Sequence, residues 1–175
     1  MRTSLILTVI GDDKPGIVEQ LSDRVLASGA NWEESRMARL AGKFAGLLRV
    51  SVDPAHADAL AASLRALAPA GLTVVAEPSA QGDPAQARTI VLDLIGNDRP
   101  GIIRDIARVL AQHQVNIEEL ETDVTSAAMS GEPLFRARAS LRVPPGITID
   151  RLRSVLEALA GELMVDLRLA EPERA

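Results

Sequence analysis

The chain has 175 residues, 47% hydrophobic and 25% charged, with one Trp, two Phe, no Tyr and no Cys. That describes a globular chain with cores of Leu, Ile, Val and Ala, and it excludes disulfide and thiolate chemistry. The formal net charge is −5, and arginines lie scattered beside acids, as in Glu34-Ser35-Arg36 and Arg104-Asp105. Direct nucleic-acid binding, which needs clustered cations against phosphate, is therefore not expected. No apolar run approaches the ~20 residues of a bilayer span, and no charged-then-apolar leader opens the chain, so a soluble cytoplasmic protein is expected.

In chain order, Thr3 to Ile10 is apolar and β-rich, a strand. Gly11 to Lys14 is a turn, and Pro15 opens a helix with Ile17, Val18, Leu21 and Val25 on one face and Gly29 closing it. Trp32 to Leu40 and Phe44 to Val52 read as a hairpin around Ala41-Gly42-Lys43. Asp53-Pro54 starts a second helix, Ala55 to Leu67, with Leu60, Leu64 and Leu67 on one side. Pro69-Ala70-Gly71 breaks it, and Leu72 to Glu77 is a last strand.

The same order then returns. Gly11-Asp12-Asp13-Lys14-Pro15-Gly16-Ile17-Val18 reappears 85 positions later as Gly96-Asn97-Asp98-Arg99-Pro100-Gly101-Ile102-Ile103. The echo continues through Leu21 and Ile106, Val25 and Leu110, and Asn31-Trp32-Glu33-Glu34 and Asn116-Ile117-Glu118-Glu119. The chain thus holds two copies of one module. The second copy reads as strand Arg88 to Ile95, helix Pro100 to Gln112, strands Asn116 to Thr125 and Leu134 to Val143, helix Ile149 to Leu159 and strand Leu163 to Leu169. Its hairpin turn, Ser126 to Pro133, is longer. Residues 78–87, rich in Pro, Gly and small side chains, read as a linker between modules at 1–77 and 88–171, and the last residues as a frayed tail.

A β-α-β-β-α-β order with right-handed crossovers predicts an α+β fold: two ferredoxin-like modules, each a four-stranded antiparallel sheet with both helices on one face. The first strand is apolar on both sides, Leu5, Leu7 and Val9 against Ile6 and Ile10. The helix-free face is therefore expected to be apolar and to be covered, either by the other module or by a second copy in a homo-oligomer.

The repeated turn is the candidate site. Lys14 and Arg99 are expected at the cap, with Pro15 and Pro100 at the first helical position. The amides of Gly16, Ile17 and Val18 are then left without helical partners, with no glycine side chain to block approach. Such amides and the helix dipole suit a small anion such as a carboxylate. Asp12, Asp13, Asn97 and Asp98 stand beside them and offer acceptors to an ammonium group, which together describes a free amino acid. Two readings stand: a ligand site, or a turn in which Asp13 simply caps its own helix. Asn31 and Asn116 likewise either reach a ligand near the helix start or form turns.

Other chemistry is missing. His56 and His113 have no metal-like spacing. Glu33-Glu34 and Glu118-Glu119 are adjacent on strands, so their side chains diverge and an Arg partner suits them better than acid–base work. Trp32 suits core or interface. No nucleophile elbow, phosphate loop or dinucleotide fingerprint occurs, so neither an enzyme nor a cofactor or metal site is expected.

The Gly-x-Asp-x-Pro-Gly-Ile turns, the following Asn-x-Glu and the element order resemble the ACT domain, a family of small regulatory modules that bind amino acids. Two such modules filling a chain resemble the glycine cleavage system transcriptional repressor family, most closely at Asp13 to Val18 and Asn31 to Met37. The resemblance implies a ligand-sensing regulator, with glycine or serine as first ligands. It implies a site at an interface between modules that includes Asp12, Asp13, Gly16, Ile17, Asn31, Asn97, Asp98, Gly101, Ile102 and Asn116. It also implies repression through a protein partner such as a transcription factor. The competing expectation is a ligand-free dimerisation module or a regulatory subunit of an amino-acid metabolic enzyme.

Overall fold

The computed structural model describes residues 2–79, 87–126 and 131–172. Its elements are β1 (Thr3–Asp12), α1 (Ile17–Ala27), β2 (Asn31–Leu40), β3 (Lys43–Val52), α2 (Pro54–Arg65) and β4 (Leu72–Pro78), then β5 (Arg88–Asn97), α3 (Ile102–Gln112), β6 (Asn116–Ser126), β7 (Pro133–Val143), α4 (Ile149–Leu163) and β8 (Val165–Ala170). The strands form two antiparallel sheets, ordered β2-β3-β1-β4 and β6-β7-β5-β8. The chain divides into two compact units, Met1–Gly82 and Asp83–Ala175, an α+β arrangement of two ferredoxin-like modules.

Period-two alternation builds each core. Leu5, Leu7 and Val9 of β1 turn inward with Leu48, Val50 and Val52 of β3, and meet Leu21 and Val25 of α1 and Leu60 and Leu64 of α2. In the second module Ile90, Leu92 and Leu94 meet Ile106, Leu110, Leu152 and Leu156 in the same way. Each such leucine contributes about 1.5–3 kcal/mol by leaving water. Both helices of a module share its cluster, so one sheet face is covered and the other is not.

Several boundaries move for physical reasons. β1 runs on to Asp12 because the hairpin extends far enough for Asp12 to pair with Lys43. α1 opens at Ile17 rather than Pro15, because Gly16 takes a left-handed conformation (φ 91) that no helix propagates. Val18, expected inward, is exposed. α4 continues to Leu163 because Ala160 and Leu163 extend its buried stripe. Of the expected linker, Pro78 belongs to β4 and Ser79 N–H donates to Ser4 O at 2.9 Å. Residues 80–86 of that linker, 127–130 of the long hairpin turn and 173–175 of the tail lie outside the described residues.

The helix-free faces differ between the modules. In the first, Ile6, Ile10, Leu47 and Val75 stand on it, and Ile10 (48%), Leu47 (53%) and Val75 (49%) remain exposed. This matches the apolar face expected from β1. In the second, the corresponding face carries Asp93, Glu121, Asp123, Arg136, Arg138, Asp166 and Arg168. The apolar expectation fails there because the outward alternate positions of β6, β7 and β8 are charged, which reading the first strand alone does not reveal.

Candidate functional site

Two glycines dictate the shape of each β1–α1-type turn. Gly11 and Gly96 sit where the neighbouring strand crowds in. A Cβ on Gly11 meets Gly71 O at 2.7 Å, and one on Gly96 meets Val165 Cγ1 at 2.4 Å. Gly16 (φ 91) and Gly101 (φ 98) are the helix N-caps, and no side chain caps either helix. The cap is therefore Gly16 or Gly101, not Lys14 or Arg99. Pro15 and Pro100 precede the cap instead of opening the helix. Asp13 does not cap its helix either. Glycine is needed for its positive φ; a Cβ on Gly16 meets nothing closer than Glu19 Oε2 at 3.8 Å. The first-turn amides, Ile17 to Glu19 and Ile102 to Arg104, keep no intrahelical acceptor. The Ile17 and Ile102 side chains are in the core, so only their backbone N–H groups face the turn.

The turn is tied to the hairpin tip. Asp13 N–H donates to Gly42 O at 2.9 Å, and Asp98 N–H donates to Pro133 O at 2.9 Å. This brings hairpin side chains beside the acids. In the first module Asp12 pairs with Lys43, and Asp13 pairs with Arg39 at 2.5 Å. The Lys43 hydrogen bond, then its charge, holds the Asp12 carboxyl below its ordinary value. Lys14 Nζ donates to Ala70 O at 2.7 Å. Both acids expected to receive an ammonium are thus already neutralised by the chain itself.

The second module lacks those cations. By strand register Leu134 stands where Lys43 stands, and Val124 where Arg39 stands. Among the described residues no hydrogen bond or ion pair reaches the Asp98 carboxylate. Glu19, in the first helical turn of α1, corresponds to Arg104 in α3. Arg104 Nη2 lies 3.5 Å from where a Gly101 Cβ would be, and its Nε donates to Asp105 Oδ1 at 3.0 Å. Sequence reading missed Arg39, Lys43, Glu19 and Arg104. The Arg39-to-Val124 and Glu19-to-Arg104 changes lie in the constant offset of the repeat, whereas the longer hairpin turn breaks that offset before Lys43.

Asn31 and Asn116 do not join the site within their own module. Asn31 pairs with Ser51, which pairs with Ser4, at the far end of β1 from Asp12. Eight residues of strand, roughly 26 Å, separate Ser4 from Asp12. Asn116 pairs with Arg142 and so lies level with Thr89, equally far from Asn97. The acidic pairs are structural, but their side chains do not diverge in the first module. A bulge between Trp32 and Glu34 lets Arg49 meet Glu33 at 3.4 Å and Glu34 at 3.2 Å. Arg142 Nε donates to Glu118 at 2.6 Å. Trp32 packs against the first core. Among the described residues no His, Cys, Asp and Glu group is arranged to hold a metal, and no helix is long and apolar enough to cross a membrane.

Comparison with known proteins places both halves in one family. Residues 3–76 and residues 90–160 each match the ACT domain. The glycine cleavage system transcriptional repressor of Escherichia coli (strain K12) is 25% identical over 162 residues, covering 91% of this chain and 85% of the repressor. The crystal structure of an unknown protein from Galdieria sulphuraria is 30% identical, with a TM-score of 0.88 over 98% of this chain and 99% of that one. A structure of a candidate glycine cleavage system transcriptional repressor, 23% identical, shares the fold with a TM-score of 0.71 over 97% of this chain and 96% of that one.

Proposed function

The chain belongs to the ACT-domain family, with one ACT module in each half, and from that premise we propose that it is an amino-acid-sensing regulator that acts through a protein partner. The similarity to a transcriptional repressor supports regulation of transcription. The net charge of −5, with no basic cluster, supports contact with a transcription factor rather than with DNA.

The ligand site is the turn before α3. The amides of Ile102, Ile103 and Arg104 hold the carboxylate of a small amino acid, helped by the helix dipole, which contributes about 0.3–1 kcal/mol. Asp98 receives the ammonium, and Asn97 offers a neutral acceptor beside it. Glycine or serine fits this scheme, since it uses only the groups every free amino acid carries. The carrying observation is that Asp98 stands beside a glycine-capped helix start without a cation of its own, whereas at the equivalent start in the first module Lys43 holds Asp12 and Arg39 holds Asp13. The first module, with Glu19 near the amides and both acids paired, serves as an interaction module without ligand. Ligand binding to the second module shifts the arrangement that the partner reads, by as much free energy as the ligand's preference between the two arrangements.

Calorimetry with glycine and serine tests this. One site per chain is expected, lost in Gly101→Val and kept in Gly16→Val, with circular dichroism confirming that both variants fold. Absence of heat for every amino acid at roughly millimolar concentration removes the sensor reading.

A further inference from the structure

The helix-free face of the second sheet is patterned. Register aligns Glu121, Arg138, Asp93 and Arg168 in one row across β6, β7, β5 and β8, alternating in sign. The adjacent row reads Asp123, Arg136, Ile95 and Asp166. Between them lies an open trough of about 600 Å3. Arg138 Nε is 3.8 Å from Asp93 Oδ1, a loose pair with hydrogen-bonding capacity to spare. Glu121 and Arg168 lie on the two edge strands, three strand spacings or roughly 14 Å apart, and cannot meet within one chain.

We infer that this face is a homodimer interface, covered by the same face of a second copy about a twofold axis running along the strands. That axis lays β6 over β8 and β7 over β5 of the other copy. The alternating row is then its own complement. Glu121 meets Arg168 of the partner subunit, Arg138 meets Asp93 of the partner subunit, and each pair occurs twice, as an isologous interface requires. In the second row Arg136 lies over Ile95 of the partner subunit and lays its aliphatic stem in the trough. Its guanidinium bridges its own Asp123 and Asp166 of the partner subunit, which otherwise face each other as like charges. A twofold axis across the strands fails, because it sets Arg138 against Arg136 of the partner subunit and Glu121 against Asp123 of the partner subunit. An apolar occupant fits the trough floor but strips water from the flanking charges without supplying them a partner.

The test uses the full chain in sedimentation or light scattering. The wild type is expected to be a dimer that dissociates as salt rises. Glu121→Arg alone and Arg168→Glu alone each set like charges across the interface and weaken the dimer at least about a hundredfold. An equimolar mixture of the two variants restores it, because each reversed residue now meets its complement, and this recovery also shows that both variants are folded. A monomeric wild type overturns the inference. So does a dimer indifferent to either reversal, a mixture that stays monomeric, or a dimer broken instead by Leu47→Glu on the first module's apolar face.

Discussion

In the first module Asp12 and Asp13 face Lys43 and Arg39; in the second, Asn97 and Asp98 stand beside Leu134 and Val124. Both turns keep a left-handed glycine at the helix cap and a glycine under the neighbouring strand. The backbone device is therefore held by sterics that side chains cannot replace, while the charges around it have changed. The helix-free faces diverge in the same way, apolar with Ile10, Leu47 and Val75 in one module and charged with Asp93, Glu121, Arg138 and Arg168 in the other. A repeated motif thus fixes the same backbone shape twice while the side chains around it differ.

The largest effect available is in the two cores, which are built separately. Leu7 and Leu92 are equivalent, and both are buried. Leu7→Ala or Leu92→Ala is expected to cost about 2–5 kcal/mol, from lost burial plus the cavity left behind. Trp32 is the only tryptophan and packs on the first core, so its fluorescence reports that module alone. Leu7→Ala should move the fluorescence-detected thermal transition. Leu92→Ala should leave it in place while shifting the transition seen by circular dichroism. Equal movement of the tryptophan signal by both substitutions means that the modules unfold as one unit, and the comparison of independent halves then breaks.

A smaller effect comes from exchanging the charges at the turns. Val124→Arg with Leu134→Lys places one cation beside Asp98, as Arg39 stands beside Asp13, and a second opposite Asn97, as Lys43 stands opposite Asp12. It should weaken amino-acid binding roughly tenfold or more, about 1.4 kcal/mol, because the ammonium must displace a built-in partner. The reverse exchange, Arg39→Val, Lys43→Leu and Glu19→Arg, frees Asp12 and Asp13 and removes the carboxylate near the first-turn amides. Calorimetric stoichiometry should rise from one ligand per chain toward two. If the second-module variant binds as well as wild type, Asp98 has no part in the site.

Element order, both cores and the two glycine turns were legible in the sequence because they rest on local rules: alternation in β1, helical spacing of Leu21 and Val25, and proline and glycine at fixed places. The exact cap was not, since Pro15 and Gly16 both signal a helix start and only φ decides between them. Partners across strands were hidden as well. Whether Lys43 meets Asp12 depends on hairpin register, and in the second module a longer turn shifts that register relative to the repeat. Asn31 looked close to the site because it follows α1 by a few residues, yet α1 carries the chain back along the sheet to the opposite end.

The smallest effect concerns acid. The hydrogen bond and charge of Lys43 lower the pKa of Asp12 in the folded state. A carboxyl lowered in this way contributes stability above its unfolded value, about 3.9, and loses that contribution as pH falls through the lower folded value. Lys43→Leu, which installs the residue found in the second module, removes the cause. The variant should therefore be slightly less stable than wild type near pH 6 by the Trp32 transition, and the gap should close as Asp12 is protonated. Both side chains are well exposed, so salt should shrink the same gap at pH 6. A gap that persists or widens toward acid would mean that Lys43 stabilises the first turn by something other than its pairing with the ionised Asp12 carboxylate.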